Sequence, residues 1–536
     1  MAEKKKILLI YPPSPVMNRE DRCQQPVKDL LVIPPLPPTD LMYMAAVAEE
    51  IGLEAKIADY SLDEVKGKKQ KVKSEIKNGK TIINCKERST LIPSTSYPPP
   101  QAGRKNNYFC NMDGKMENSS SRFTLHASPS SHLSLLTSHL EDFQPDYLVV
   151  NVASTTLEND LSVLQIAKEI LPNVITIVKG AHFLTSNTDI LHKYKTLDLI
   201  IIGEAEETLK EILEGKPYAE VKGLCYRDGF VPKYTGKRPF IKDLDKLPFP
   251  ARHLVDNNLY RRPDNNKVQA VIKVSRGCPH HCFFCLATPV SGAKVRVRSV
   301  ENIIGEIKEC YEKYGIKNFL FWSDIFNFDR EWTLDLCEAI IDSGLKITWS
   351  SNTRADTADN EMAKLMYESG CRLVSLGVES GSQYILDKIG KKITINDIRN
   401  TVKILKKHKI KIYNYFVIGL PWDNEETIEQ TIRFAIELDS DFVSFYTATP
   451  LPGTRFNKFS QEHNLLDKNL SWENAYYSPV INTLCLSKGR VFELHKQAIR
   501  RFYLRPMFIL RSLLNIRSFA EVKNYFLAGL TILFRK

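Results

Sequence analysis

Short apolar runs alternate with longer amphipathic stretches along most of the 536-residue chain. A first strand is predicted over Ile7–Tyr11. The stretch "LPPTDLMYMAAVAEEIGLEAKIADY" then predicts a helix, a turn at Gly52 and a second strand ending near Asp59. After a gap, "DYLVVNVAS" and "NVITIVKGAH" predict strands around the helix "LENDLSVLQIAKEIL", and "LDLIIIGEAEETLKEIL" a strand followed by a helix. Strands of near-continuous Val, Ile and Leu separated by helices imply a parallel, doubly wound sheet. Ligands on such sheets lie beyond the carboxyl ends of the strands. Those ends here carry Pro12 and Pro13, Ser154 and Thr155, Gly180 to His182, and Gly203, Glu204 and Glu206.

The pattern places this first region at residues 1–222, interrupted at 61–138 by a polar, lysine-rich insert ("KGKKQKVKSEIKNGK", "STSYPPP", "ENSSS", "HASPSS"). Such a composition buries little apolar surface and predicts a disordered or loosely packed excursion. A proline- and charge-rich linker is expected over 223–265. A second alternating region then runs over 266–465, with strands at "VQAVIKVSRG", "KNFLFWSD", "KITWSSN", "RLVSLGVE", "KIYNYFVIG" and "DFVSFYTATP". Six βα-like units in this span predict a partial (β/α) barrel whose site lines the carboxyl ends of its strands. The last stretch, 466–536, reads as helical. "KQAIRRFYLRPMFILRSLLNIRSF" mixes Arg with Phe, Leu and Ile, as a helical cap on the barrel or a basic amphipathic surface for a membrane or lipid.

Length and charge change this picture little. The chain is too long for one typical core, and its net charge of +11 is compatible with several kinds of partner. The lysines cluster in the insert rather than beside aromatic side chains, which disfavours nucleic acid. No apolar run is long enough to span a membrane, and the N-terminus reads as a strand rather than a signal peptide. A cytoplasmic protein is expected, with contact at a membrane surface as the alternative.

The cysteines add chemistry. The chain has 11 of them, an odd number without a disulfide framework. Three, Cys278, Cys282 and Cys285, lie in "VSRGCPHHCFFCLAT", directly after the first strand of the second region. Thiolates at this spacing suit zinc or an iron–sulfur cluster. A structural zinc site closes with four ligands, which His280 or His281 would have to complete. Three thiolates on a [4Fe–4S] cluster leave one iron open. Gly277 and Arg276 ahead of them favour close approach and an anionic group.

The C-x3-C-x2-C pattern, with Phe284 before the last cysteine, strongly resembles the radical S-adenosylmethionine enzymes. The resemblance implies that the open iron binds adenosylmethionine and that its reductive cleavage yields a 5′-deoxyadenosyl radical. It further implies an electron donor such as flavodoxin or ferredoxin. "FLFWSDIF", with Ser323 and Asp324, "SLGVESGS", with Glu379 and Ser380, and "YFVIGLPWDNEET", with Ile418 and Gly419, resemble the family's adenosylmethionine-binding strand ends. The N-terminal region resembles the cobalamin-binding domain of the cobalamin-dependent subfamily. This implies an N-terminal Rossmann-like cobalamin-binding sheet followed by a partial (β/α)6 radical barrel and a C-terminal helical region. Ser154, Thr155, Gly180, His182, Gly203, Glu204 and Glu206 would then face cobalamin. The chain departs from other cobalamin enzymes in lacking D-x-H-x-x-G, and Lys179 replaces the first glycine of the usual pair in "KGAH". The expected activity is methylation of an unactivated carbon of a hydrophobic small molecule, with lipids among the candidates. The alternatives are ring formation, coupling or rearrangement without methyl transfer, and a non-catalytic zinc- or cobalamin-binding module.

Overall fold

The computed structural model describes residues 4–12, 17–20, 23–26, 36–60, 73–77, 80–85, 88–91, 129–185, 187–262, 266–466, 470, 472, 475 and 478–514. Five apolar strands, β1 (Lys6–Tyr11), β2 (Glu54–Asp59), β3 (Tyr147–Asn151), β4 (Ile175–Lys179) and β5 (Leu199–Ile201), run parallel in the spatial order β2–β1–β3–β4–β5. Ile7, Leu8, Leu9, Ile10 and Val149 have no exposed surface, because helices cover both faces of the sheet. The order reverses between β1 and β3, which opens a crevice at their carboxyl ends.

Two more strands make the sheet seven-stranded: β6 (Leu224–Asp228) pairs antiparallel with β5, and β7 (Val231–Tyr234) antiparallel with β6. The stretch 223–265, expected to be a linker, therefore begins inside the first sheet. Its strands are five and four residues long and each carries charged residues, so the period is too brief to stand out. Only the remainder, which includes the 3-10 turns Leu244–Lys246, Arg252–Leu254 and Asn257–Leu259, connects the two sheets.

Within the insert 61–138, Lys73–Lys77, Lys80–Cys85 and Arg88–Leu91 form an antiparallel three-stranded sheet in a separate unit, Asp63–His139. The expectation of a disordered or loosely packed excursion does not specify these strands, which lie among the insert's few β-branched residues. The helix Pro129–Phe143 also starts inside the expected insert. The rest of the insert lies outside the described residues.

The second sheet contains β8 (Gln269–Lys273), β9 (Asn318–Trp322), β10 (Thr348–Arg354), β11 (Cys371–Glu379), β12 (Lys411–Ile418) and β13 (Phe442–Thr447). All pair parallel in chain order, with β8 and β13 at the edges. This is the strand order expected of a partial (β/α)6 barrel. Alternation sorts the side chains. Ile272, Phe321, Trp349, Leu376, Phe416 and Phe445 join the large core shared with the helices. The opposite face is more varied. Leu36, from ahead of the helix Thr39–Glu50, packs there on Val271, Leu320 and Trp322. Across the sheet, Tyr413, Tyr415, Leu373 and Phe442 form another small cluster.

The edge strand β13 is covered by the helix Lys488–Tyr503. Tyr503 Oη donates to the carbonyl of Val443 (2.5 Å) and accepts from its N–H (3.1 Å), and His495 Nε2 lies 2.7 Å from the carbonyl of Phe445. A helix in this position blocks pairing of the open edge. The helix Pro506–Leu514 follows, so the expected helical region 466–536 is helical from 488 to 503 and from 506 to 514. Its residues beyond 514 lie outside the described ones. Among the described residues, no helix is long and apolar enough to cross a membrane.

One buried carboxylate fastens the connecting segment to the second sheet. Glu306, on the helix Val300–Tyr314, has no exposed surface and accepts from both Arg252 and Arg298. Arg252 also donates to the carbonyl of Val271 on β8 (2.9 Å). Removing one member of such a group leaves buried charge uncompensated. Glu306→Ala is therefore expected to lower stability by about 3–5 kcal/mol, read from the midpoint of denaturant unfolding.

Candidate functional site

Beyond β8 the chain forms a small antiparallel pair, Ser275–Arg276 with Arg296–Val297, that closes the base of the cysteine loop. Gly277 follows with φ +101°, and a Cβ there would stand 2.1 Å from the carbonyl oxygen of Lys294. Only glycine fits. Its N–H donates to Asp324 Oδ2 at 2.7 Å, and the N–H of Cys278 donates to the carbonyl of Gly292 at 3.0 Å. The middle of the loop is fixed by Phe283, not by Phe284. The Phe283 N–H donates to the carbonyl of Ile389 (2.9 Å), and its carbonyl accepts from the N–H of Phe456 (3.0 Å). Its ring packs among Trp422, Phe456 and Phe459, with centroids 4.8, 5.2 and 5.7 Å away. Phe284 is half-buried beside the same core.

Cys278, Cys282 and Cys285 are free thiols near enough to influence one another's ionisation. Burial pushes Cys285 up to about 12, where the N–H of Ala287 donates to its Sγ at 3.3 Å. Burial also raises Cys278, with Asp324 and Cys282 adding to the effect. A metal bound here would displace these protons, since thiolates are the ligating form. Among the described residues, no three Cys, His, Asp or Glu side chains converge on a single-ion site, and neither His280 nor His281 completes one with the cysteines. The donor set suits a polynuclear cluster, whose thiolates bind separate irons.

The adjoining strand ends carry the other expected residues. Ser323, beyond β9, is fully buried and its hydroxyl has no hydrogen-bond partner. An unsatisfied buried hydroxyl at a strand end fits a polar ligand. Asp324 holds the cysteine loop through Gly277, a structural task that the motif alone does not reveal. Glu379 sits at φ +66°, where the β11–β12 register shifts, and its carboxylate accepts from Lys391 Nζ at 2.7 Å. Burial opposes the charge of Lys391, but Glu379 outweighs it and raises the lysine's pKa, with Cys282 contributing. Arg354 donates to the carbonyl of Lys391 (2.9 Å) and to Asp356, completing a basic corner beside the cysteines.

Two expected contacts point elsewhere. Ser380 Oγ lies 3.0 Å from Thr431 Oγ1, tucked under the helix Glu425–Leu438. Ile418 is fully buried in the large core on the helix side of the sheet. Parity explains both, because each belongs to the face opposite the site. Gly419 keeps a backbone role. Its φ is +89°, a Cβ would stand 2.6 Å from Val491 Cγ1, and Asp423 Oδ2 accepts from the N–H groups of Gly419 and Leu420, each at 3.0 Å. Sequence reading missed Lys391, Arg354 and the site-facing tyrosines Tyr415 and Tyr446, whose ring centroids are 5.8 Å apart. The period-two pattern "KIYNYFVI" in β12 held the signal for Tyr415.

On the first sheet, Gly180 follows β4 at φ +151°, and a Cβ would meet the carbonyl oxygen of Val152 at 2.1 Å. His182 is only 4% exposed, and its Nδ1 lies 3.2 Å from Ser154 Oγ. Burial holds the imidazole down at about 4, so it is neutral at pH 7. Ser154 and Thr155 lie buried in the turn Ser154–Thr156. Asp160 Oδ2 fastens this turn by accepting from Ala153 N–H (3.1 Å) and Thr156 Oγ1 (2.6 Å). Gly203, at φ +91°, has nothing within 4 Å of its would-be Cβ. The tight backbone at Gly180, the open space at Gly203 and a neutral histidine make a cradle into which a large planar group could press. Glu204 and Glu206, expected on the same ligand, pair instead with the second sheet. Arg276 donates to Glu206 at 2.6 Å and lies 3.3 Å from Glu204, and Arg296 reaches Glu204 at 2.9 Å.

A second link crosses alongside. Asp40 Oδ2 accepts from Lys179 Nζ at 2.9 Å, and its Oδ1 accepts from Lys273. Burial opposes ionisation of Asp40, but the two lysines hold its carboxyl well below the usual carboxylate range. A cavity of about 60 Å³ lies between the links, lined by Asp40, Lys179, Glu204, Lys273, Arg276 and Trp322 among others.

The chain matches the family model described as the radical SAM superfamily over residues 272–435, and that described as the B12 binding domain over residues 128–213. It is 31% identical over 385 residues to an uncharacterized methyltransferase of Pyrococcus horikoshii, covering 71% of this chain and 83% of the relative. It is 27% identical over 383 residues to the anaerobic magnesium-protoporphyrin IX monomethyl ester cyclase of Cereibacter sphaeroides, covering 69% and 62% respectively. Among solved structures it resembles the cobalamin-dependent radical enzyme OxsB with aqua-cobalamin and S-adenosylmethionine bound. The TM-score is 0.68 and the identity 14%, over 99% of this chain and 71% of that one. It also resembles the methyltransferase TsrM of Kitasatospora setae with cobalamin and a [4Fe-4S] cluster bound, at TM-score 0.61 and 15% identity, over 92% and 82%. At these identities the structural likeness shows a shared fold.

The buried His182 gives the fold an acid limit. Above about pH 6.5 the imidazole is neutral in folded and unfolded chains alike, whereas between about 6.5 and 4 only the unfolded chain takes up the proton. Stability thus falls as pH drops through this window, by about 2–3 kcal/mol from this residue. His182→Gln is expected to lose that much less between pH 7 and 4.5, as read from urea unfolding at both values.

Proposed function

Because the chain belongs to the cobalamin-dependent radical S-adenosylmethionine enzymes, we propose that it methylates an unactivated carbon of a hydrophobic small molecule. One observation carries the reading. The loop with three free thiols and the turn Gly180–His182 follow strands whose last residues, Lys273 and Lys179, meet on one carboxylate, Asp40. Two sites this close can share a substrate.

The family's cofactors supply the difficult chemistry: the cluster with adenosylmethionine a hydrogen-abstracting radical, and cobalamin a transferable methyl group. The chain's task is to bind, orient and exclude water. Cys278, Cys282 and Cys285 hold the cluster and leave one iron for adenosylmethionine. The Ser323 hydroxyl and the Glu379–Lys391 pair take the polar groups of adenosylmethionine, and the backbone at Gly419 borders its adenine. Asp324 keeps the loop in place. Gly180, Gly203 and the His182–Ser154 pair cradle the corrin ring. Tyr415 and Tyr446 form an aromatic wall for substrate, supported by Ser375, whose Oγ accepts from Tyr415 Oη at 3.3 Å. Leu36 seals the opposite side over Val271 and Trp322, which directs substrate toward the tyrosines. A one-electron donor such as flavodoxin or ferredoxin is required, and the chain's positive charge favours an acidic one.

A reading without methyl transfer rests on the similarity to the tetrapyrrole-ester cyclase. Methionine labelled in its methyl group separates the two, because the first reading requires label in the product and the second none. Cys282→Ala is expected to lose the iron–sulfur visible absorbance and all 5′-deoxyadenosine formation. An active variant would overturn the cysteine assignment.

The substrate's hydrophobic character is supported by the end of the described chain. Met507, Leu510, Leu513 and Leu514 are 51–76% exposed on the helix Pro506–Leu514, while Arg505 and Arg511 pair with Asp439. This face suits contact with a membrane surface. The protein should float with anionic vesicles in a density gradient, and Leu510→Ser with Leu514→Ser should release it. Equal sedimentation of both proteins away from vesicles would remove this contact.

A further inference from the structure

We propose that Asp40 is a positioning residue whose bridge between Lys179 and Lys273 sets the spacing of the two cofactor turns and so couples radical formation to methyl transfer. The inference rests on the methyl-transfer reading and goes beyond it in assigning a task to residues that this reading does not use.

The argument begins with where the three charges sit. Asp40 lies in the first turn of the helix Thr39–Glu50, whose buried face, including Leu41, Met42, Met44 and Ala45, belongs to the core of the first sheet. Lys179 is the last residue of β4, directly before Gly180. Lys273 is the last residue of β8, and the chain runs from it through Ser275 and Arg276 into Gly277 and Cys278. One carboxylate therefore joins the roots of both turns. The side chains of Lys179, Asp40 and Lys273 are 5%, 12% and 11% exposed, so salt screens them little.

A purely stabilising role does not account for this placement. Replacing the group by apolar side chains of similar size would serve stability as well or better. An ionic bridge instead imposes a fixed distance and direction. The second link, from Arg276 to Glu206 and Glu204, approaches the same loop from another side and limits rotation about the first. The cavity between the links is lined by all three residues of the bridge and by Glu204 and Arg276 of the second link.

Two single cuts test the bridge as a unit. Lys273→Met leaves Asp40 paired with Lys179, and Lys179→Met leaves it paired with Lys273, so neither strands the carboxylate without a cation. Both variants should fold and retain iron and cobalamin. Both should still form 5′-deoxyadenosine, while methylated product per 5′-deoxyadenosine falls on the order of 100-fold, the effect of a misplacement of about 1 Å. In cofactor-free protein, amide hydrogen exchange should quicken at Gly180–His182 and at Gly277–Cys278 in each variant, and at no other segment of either sheet. Unchanged ratios and exchange would overturn the proposal. So would an effect confined to one variant, because that lysine would then act alone. If wild-type protein forms 5′-deoxyadenosine but no methylated product, the methyl-transfer reading fails, and the exchange data alone decide whether the bridge fixes the turns.

Discussion

Charge buried between two sheets must be paired, and that constraint shapes the centre of this protein. Both sheets are parallel, so the carboxyl end of each is where loops and polar groups gather. Where loops from these ends come together, every charged side chain loses water, and an unpaired one would be severely destabilising. The structure answers with a set of long-range pairs: Asp40 with Lys179 and Lys273, Arg276 with Glu204 and Glu206, and Arg296 with Glu204. The second sheet and the connecting segment meet the same requirement through Arg252, Glu306 and Arg298. None of these pairs could be exchanged for an exposed ion pair, because exposed pairs contribute little and fix no geometry.

This constraint also explains which site residues could be read in advance. The cysteines, the strand ends and the glycines announce themselves locally, by spacing or by the backbone they require. Gly277 and Gly180 are needed because backbone carbonyls stand where a Cβ would go. Glu204 and Glu206 were legible as strand-end acids but not as partners of arginines 70 and more residues away. Asp324 was legible as part of a motif, yet its visible task is to hold the N–H of Gly277. Ser380 and Ile418 were placed by motif alone, and the parity of the strands turns their side chains away.

At the level of the fold, the parallel strands of both regions were legible because each combines a clear apolar run with a following helix. The hairpin Leu224–Tyr234 was not, since it adds to the sheet's edge, where a strand needs only a few buried residues such as Leu224 and Cys225. The Lys391–Glu379 pair escaped for another reason. A lysine in "GKK" normally reads as solvent-exposed, and only the bend at Glu379, with its positive φ, brings the carboxylate over it.

The same reasoning bears on how the cysteine loop acquires its shape. Its fixed points are backbone hydrogen bonds and one aromatic ring: Gly277 on Asp324, Cys278 on Gly292, Phe283 on Ile389 and Phe456. No thiol is needed for any of them. The ring of Phe283 anchors the segment between Cys282 and Cys285 in a nest of aromatic side chains, so the thiols on either side are displayed by a frame that exists without them. The loop's backbone is thus held mainly by groups other than sulfur. The frame leaves the sulfurs to serve as ligands, in keeping with the cluster that the family implies.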